Sequence, residues 1–261
     1  MSLKKQISHF FNNKGYEIVF RDRDYSKWCL FLKDVEYLPY HYTNEWLDYQ
    51  NEYLSSNEDY LEISFILIKN DIPQLIFPLF FSKKNKKSII KDDCLEIPLF
   101  SKDINDDLKS QIIKIILDLF FNVLSDENKN TNLKISDNDY LISNYLHEKY
   151  KICSQDINEY YVDTTIEFSA IKRKVRKSYK QFTKSSDDEI QFDVFTNDTN
   201  ELIWSKFKNL HLTVSGRTTR SDKSWNYQFE NLINNKSIFI SASYNDKLIS
   251  GAYFEMSKDE L

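Results

Sequence analysis

Glycine and proline are scarce in this 261-residue chain, with 3 and 4 copies, and cysteine occurs only 3 times. So few turn formers argue against repetitive all-β architectures, and so little glycine argues against a glycine-rich phosphate loop. Cys29, Cys94 and Cys153 lie far apart with no C-x-x-C pair, the pattern of reduced thiols in a cytosol-like compartment rather than a disulfide framework. The histidines are scattered too. His147-Glu148 lacks the second histidine of a zinc-hydrolase helix, so no metal centre is expected. The longest apolar stretch, 112–124, is broken by Lys114 and Asp118, and residues 1–14 contain no apolar h-region. Neither a membrane span nor a secretory leader is expected, and the location that follows is cytoplasmic. The closing Lys258-Asp259-Glu260-Leu261 spells a lumenal retention address, which without a leader reads as coincidence.

What the chain does have is apolar surface: 41% of residues are hydrophobic and 15% aromatic, enough to offset the entropy of ordering a backbone. The net charge of -5 is mild, so any basic site must be local. The length suits two domains, 1–155 and 156–261, joined by the polar residues 155–159. In the first, a strand at 16–20 precedes a helix from Ser26 with Trp28, Leu32 and Val35 on one face, and a second helix follows Thr43. Apolar runs at 61–68 and 75–81 flank Asn70-Asp71, a hairpin signal. A lysine-rich loop (83–91), a strand (94–99), a helix (107–124), a strand (133–135) and a helix (141–150) complete that domain.

The second domain repeats the order. A strand at 160–162 leads to a helix over 167–184, with Thr164 and Glu167 at capping-box spacing, then a strand (190–195) and a helix (200–212). A polar loop (214–224), a helix aligning Trp225, Phe229 and Leu232, and a hairpin across Asn245-Asp246 follow. With two extra residues allowed in the first turn, the hairpins superpose Leu75 on Leu248 and Pro78 on Gly251. Both residues weaken a ladder, so each is expected to mark a bulge or splayed strand. The last strand runs so close to Leu261 that the chain is expected to stop in the middle of a sheet.

Asn209-Leu210-His211, Ser215-Gly216-Arg217-Thr218-Thr219-Arg220, Ser224-Trp225, Gln228 and Leu248-Ile249-Ser250-Gly251-Ala252 form a set that resembles a segment of the second unit of the Fem-type (FemAB-like) acyltransferases. The likeness covers roughly the last 100 residues, and the first half matches by element order alone. It implies an α/β (α+β) fold of two tandem GNAT-like domains, mixed sheets flanked by helices, the second incomplete. It also implies transfer of an acyl or aminoacyl group to an amine on a cell-wall or surface-polysaccharide precursor. Residues 82–91, after the first disturbed strand, contain no glycine to cradle a pyrophosphate, and the helical insertion of tRNA-dependent members is absent. The donor therefore stays open among acyl-CoA, an acyl carrier protein and aminoacyl-tRNA. The alternative is a noncatalytic binding or scaffold protein of a surface-glycan pathway on the same fold.

Within that frame, His211, Ser215, Arg217, Arg220, Lys223, Trp225, Gln228 and Gly251 are the candidate substrate- or donor-binding residues. Arg217, Arg220 and Lys223 stand among hydroxyls before a helix start, where cations and free N–H groups suit a phosphate or carboxylate. Against this stands the commoner outcome, loop cations paired with nearby carboxylates. Lys172, Arg173, Lys174, Arg176, Lys177, Lys180 and Lys184 line a helix without acids, suited to tRNA, a carrier protein or a nucleotide-linked amino substrate, or simply a solvated face. His211 and Ser215 could share a helix side as base and nucleophile, though nothing orients them as a triad. Tyr253, beside Gly251, is a candidate proton donor. Tyr37, Tyr40, His41, Tyr42 and Trp46 could line an acceptor pocket or pack between the halves.

Overall fold

The computed structural model describes residues 1–55, 60–82, 87–89, 94–95, 98–124, 134–135, 145, 147–149, 166–167, 169–170, 173 and 190–260. The join at 155–159, the strand at 160–162, most of the lysine-rich loop and most of the two helices expected over 141–150 and 167–184 lie outside these residues.

The chain opens with α1 (Leu3–Asn12), which the polar composition of residues 1–14 conceals. Ile7 and Phe11, four apart, are fully buried and give the helix its packing face. β1 (Glu17–Phe20) leads to α2 (Tyr25–Asp34), whose cap Asp24 accepts from Lys27 N at 3.0 Å and which buries Trp28, Phe31 and Leu32. A 3₁₀ turn (Tyr40–Tyr42) precedes α3 (Asn44–Ser55). The guanidinium of Arg21, just after β1, is buried between Asp48 of α3 at 2.5 Å and Glu62 at 3.0 Å.

The expected hairpin forms as four strands rather than two: β2 (Tyr60–Glu62), β3 (Phe65–Lys69), β4 (Ile72–Phe77) and β5 (Phe80–Ser82). β3 and β4 belong to a sheet with β1 and a later strand at Leu99–Phe100, β8, in the order β1-β3-β4-β8, whereas β2 and β5 pair in a second sheet with β6 (Lys87–Ile89). The switch falls at Ser64 and Pro78. Proline offers no N–H there, and Leu79 N donates to Ser64 Oγ at 3.0 Å in place of a ladder bond. The strand expected over 94–99 is two short ones, β7 (Cys94–Leu95) and β8 (Leu99–Phe100), in different sheets. α4 (Asp106–Leu119) continues as one π turn (Phe120–Leu124), and β9 (Lys134–Ile135) pairs in parallel with β7.

In the second half β10 (Ile190–Phe195) is followed by α5 (Glu201–Ser215), capped by Asn200 and ended by Gly216 in the left-handed region at φ 66. Only glycine adopts that conformation freely. α6 (Asp222–Ile233), β11 (Ser237–Tyr244) and β12 (Lys247–Glu255) complete an antiparallel sheet ordered β10-β11-β12. The architecture is mixed α/β, of the α+β kind.

A repeat is plain in the topology. β1-α2-α3-β3-β4 and β10-α5-α6-β11-β12 share one order, with the helices between the first strand and the hairpin in both and β2 added before the hairpin in the first. Both hairpins turn on Asn-Asp with positive φ at each residue, 51 and 64 in one and 47 and 56 in the other, the signature of a type I′ turn. Both then skip one residue of the second strand, Gln74 in the first and Ile249 in the second. The same shift carries Asn70 onto Asn245 and Gln74 onto Ile249. This corrects two expectations. The turns are equal in length, so Ile76, not Pro78, corresponds to Gly251. Gly251 pairs with Ser241 inside an unbroken stretch of ladder. Its glycine answers a packing demand instead: a Cβ there would stand 2.6 Å from Phe207 Cδ2 and 2.8 Å from Phe239 Cε2.

Candidate functional site: the seam between α3 and α6

The loop expected over 214–224 is shorter in the fold, because α5 runs to Ser215 and α6 starts at Asp222. Ser221 caps α6, accepting from Ser224 N at 3.1 Å, and donates its own hydroxyl to Glu52 of α3 at 3.2 Å. Lys223 also meets Glu52, at 2.7 Å, which raises the lysine pKa through that bond and charge. With Asp222 in the first turn, the helix start already faces two carboxylates. Lys236 with Glu45, 3.3 Å apart, adds a second ion pair across the seam.

Arg220 turns inward. Its Nη1 donates to Gln228 Oε1 at 2.9 Å, and its guanidinium lies 5.0 Å from the Trp225 ring centre, so neutral groups hold the cation. Only one of its five N–H groups goes to Gln228. His211 sits edge-on to Trp225 at 5.3 Å, with Nδ1 3.5 Å from Thr219 Oγ1. Burial first, then the charge of Arg220, lowers its pKa. Ser215 does not meet His211: its hydroxyl donates to Arg217 O at 2.7 Å, closing the end of α5. Arg217 projects into solvent.

On the β12 side, Tyr253 Oη donates to Gln228 O at 3.1 Å. Burial raises the Tyr253 pKa, and Ser237 and Asn231 lie close enough to moderate the rise, although neither meets hydrogen-bond geometry there. Tyr49 of α3 is pushed up to about 12, chiefly by burial, with Arg220 opposing. The Tyr40 phenol is raised as well, by burial first and then by Glu255 and Tyr253. All three phenols therefore stay protonated at neutral pH. Of the aromatic group around residue 40, Tyr40, Tyr42 and Trp46 are buried.

A clasp completes the seam. Leu38 N donates to Asp259 Oδ2 at 2.7 Å, Tyr40 N to Glu260 Oε2 at 2.8 Å, and Lys258 Nζ to Val35 O at 2.6 Å.

The structure thus sets Arg220, Trp225, Gln228, Tyr253 and His211 along α6, and leaves Arg217 and Ser215 outside. Tyr49, Glu52, Asn231 and Ser237 join them unannounced, because their contacts cross long sequence separations and carry no local motif. A cleft of about 310 Å³ opens elsewhere, between α2 and the β3–β4 turn, with Phe31, Val35, Ile68 and Asp71 in its lining, and it contains none of the candidates. Among the described residues no group of His, Cys, Asp and Glu is arranged to hold a metal, and no helix is long and apolar enough to cross a membrane. No protein-family model matches the chain, and no curated protein matches it.

Proposed function

We propose that this chain is a cytoplasmic N-acyltransferase built on two tandem GNAT-like units. It passes an acyl or aminoacyl group to an amine of a cell-wall or surface-polysaccharide precursor. The observation that carries this reading is the repeated strand-helix-helix-hairpin unit, with its matched I′ turns and matched skipped residues. The order is that of the acyltransferase fold which the residues around 209–228 resemble. The chemistry belongs in the seam rather than at Gly251, whose ladder is intact.

Transfer there needs no enzyme nucleophile. The acceptor nitrogen attacks the donor carbonyl, an N–C bond forms and the thioester or ester bond breaks. The departing sulfur or oxygen takes a proton from Tyr253, whose phenol burial keeps protonated, while the amine loses its proton to water. Arg220 supports negative charge on the carbonyl oxygen with its remaining donors. The donor is acyl-CoA, an acyl carrier protein or aminoacyl-tRNA, the last two favoured by the basic stretch Lys172 to Lys184.

The test is an acyl-transfer assay by mass spectrometry with each donor class and amino-sugar acceptors. Transfer should occur with one donor, and Tyr253→Phe should lower kcat by roughly 10²-fold or more without loss of folding. No transfer with any donor would overturn the reading. The second reading, a noncatalytic binding or scaffold protein, is favoured by Glu52, which already occupies Lys223 and the start of α6.

A further inference from the structure

The cleft between the last turn of α2 and the β3–β4 turn holds about 310 Å³, the small end of the range that takes organic ligands. Its floor is apolar and belongs to the core, since Phe31, Val35 and Ile68 are buried. Leu30 on the α2 wall and Ile72 on the β4 wall are 64% and 62% exposed. Single exposed apolar side chains are ordinary on a surface. Two of them on opposite walls, above a buried apolar floor, offer area that an apolar body would remove from water.

The charge around this floor has one sign in excess. Asp34, Asp71 and Asp103 line the cleft against a single lysine, Lys27. Lys27 stays with Asp24 at 3.9 Å, and Lys102, beside the cleft, stays with Asp34 at 2.5 Å. Asp103 shares Lys102 only at longer range, and Asp71 forms no ion pair among the described residues. The C-terminal end of α2 adds backbone carbonyl dipoles of the same sign.

We infer that this cleft is a binding site for a small amphipathic cation, an alkyl or aryl amine whose apolar body covers Leu30 and Ile72 and whose ammonium meets Asp71. The turn fixes Asp71 at φ 64, so the carboxylate is placed before the ligand arrives. An anion of the same shape is disfavoured by the charges that favour the amine. An ammonium without the body gains only a screened surface pair. The site is independent of acyl transfer, because neither Arg220 nor Tyr253 lines it.

The experiment follows the backbone amides of the full chain in proton–nitrogen NMR correlation spectra during titration with 2-phenylethylamine, 3-phenylpropanoate or methylammonium. The first should shift amides within 30–35 and 71–72, and the other two should not. Asp71→Asn removes the charge and keeps a residue that tolerates a positive φ. It should weaken binding of 2-phenylethylamine by about two- to fivefold at low ionic strength, a difference that shrinks above about 0.5 M salt. Leu30→Ser should weaken it by about threefold or more, whereas Phe192→Ser, on the exposed face of the second sheet, should leave it unchanged. All three positions are exposed, so the unliganded variants should melt within a few degrees of wild type. No binding of 2-phenylethylamine, shifts centred on another surface, or equal binding of either control probe would overturn the proposal. Unchanged affinity in both Asp71→Asn and Leu30→Ser would do the same.

Discussion

The two repeated units share a topology, a turn and a skipped residue, yet bury their sheets differently. In the first, Phe65 and Phe77 pair across the hairpin and are covered from outside: Phe11 of α1 lies 5.4 Å from Phe65, and Phe120 lies 6.0 Å from Phe77. The corresponding pair in the second is Ile240 and Ala252. Their face also carries Phe192 and Val194, which are 66% and 63% exposed. The opposite face of the second sheet packs instead into an aromatic box, in which Trp204 touches Phe207, Trp225, Phe229, Phe239 and Tyr253 with ring centres 5.5–6.0 Å apart. One unit is stabilised by layers on both faces of its sheet. The other depends on one face, where each aromatic pair contributes about 0.5–1.5 kcal/mol beyond its area.

The widest gap should appear when equivalent outer faces are truncated. Phe65→Ala should cost about 3–5 kcal/mol in denaturant unfolding, whereas Phe192→Ala should change stability by less than about 0.5 kcal/mol. Similar losses would erase the contrast. Next comes the inner face, where Ile76 and Gly251 correspond. Gly251→Ala drives a methyl into two rings of the aromatic box and should cost about 1–3 kcal/mol, with near-ultraviolet circular dichroism reporting the disturbed tryptophans.

The turns should respond alike. Asp71→Gly and Asp246→Gly each relieve a positive φ and should each raise stability, by at most about 1 kcal/mol and by similar amounts if the hairpins are equivalent. The smallest effect distinguishes the second unit through pH. His211 is harder to protonate when folded than at its ordinary value of 6.5. The unfolded chain therefore holds more protons over that window. The stability contributed is complete above 6.5 and is lost as pH falls toward the lower folded value. Urea midpoints should drop over that range, and His211→Gln should flatten part of the drop.

Local signals carried much of this architecture. The helical spacing of Ile203, Phe207 and Leu210 announced α5, and Asn-Asp between apolar runs announced both hairpins. Pro78 was legible as a disturbance because a missing N–H is a property of the residue alone. Gly251 was not, since a strand glycine marks either a bulge or a close approach, and which ring approaches is decided by Phe207 on another element. The cations of the loop were readable as a group. Their fates were not, because the carboxylate that takes Lys223 lies 171 residues away, on a helix whose own spacing says nothing of it.

The clasp between residues 35–40 and 257–260 has a consequence for folding order. Its contacts join positions up to 223 residues apart, and closing so large a loop is entropically unrewarded until both units exist. The clasp should then assemble last and fray first. Hydrogen exchange at the amides of Leu38 and Tyr40 would proceed by local release, well ahead of the strands in either unit.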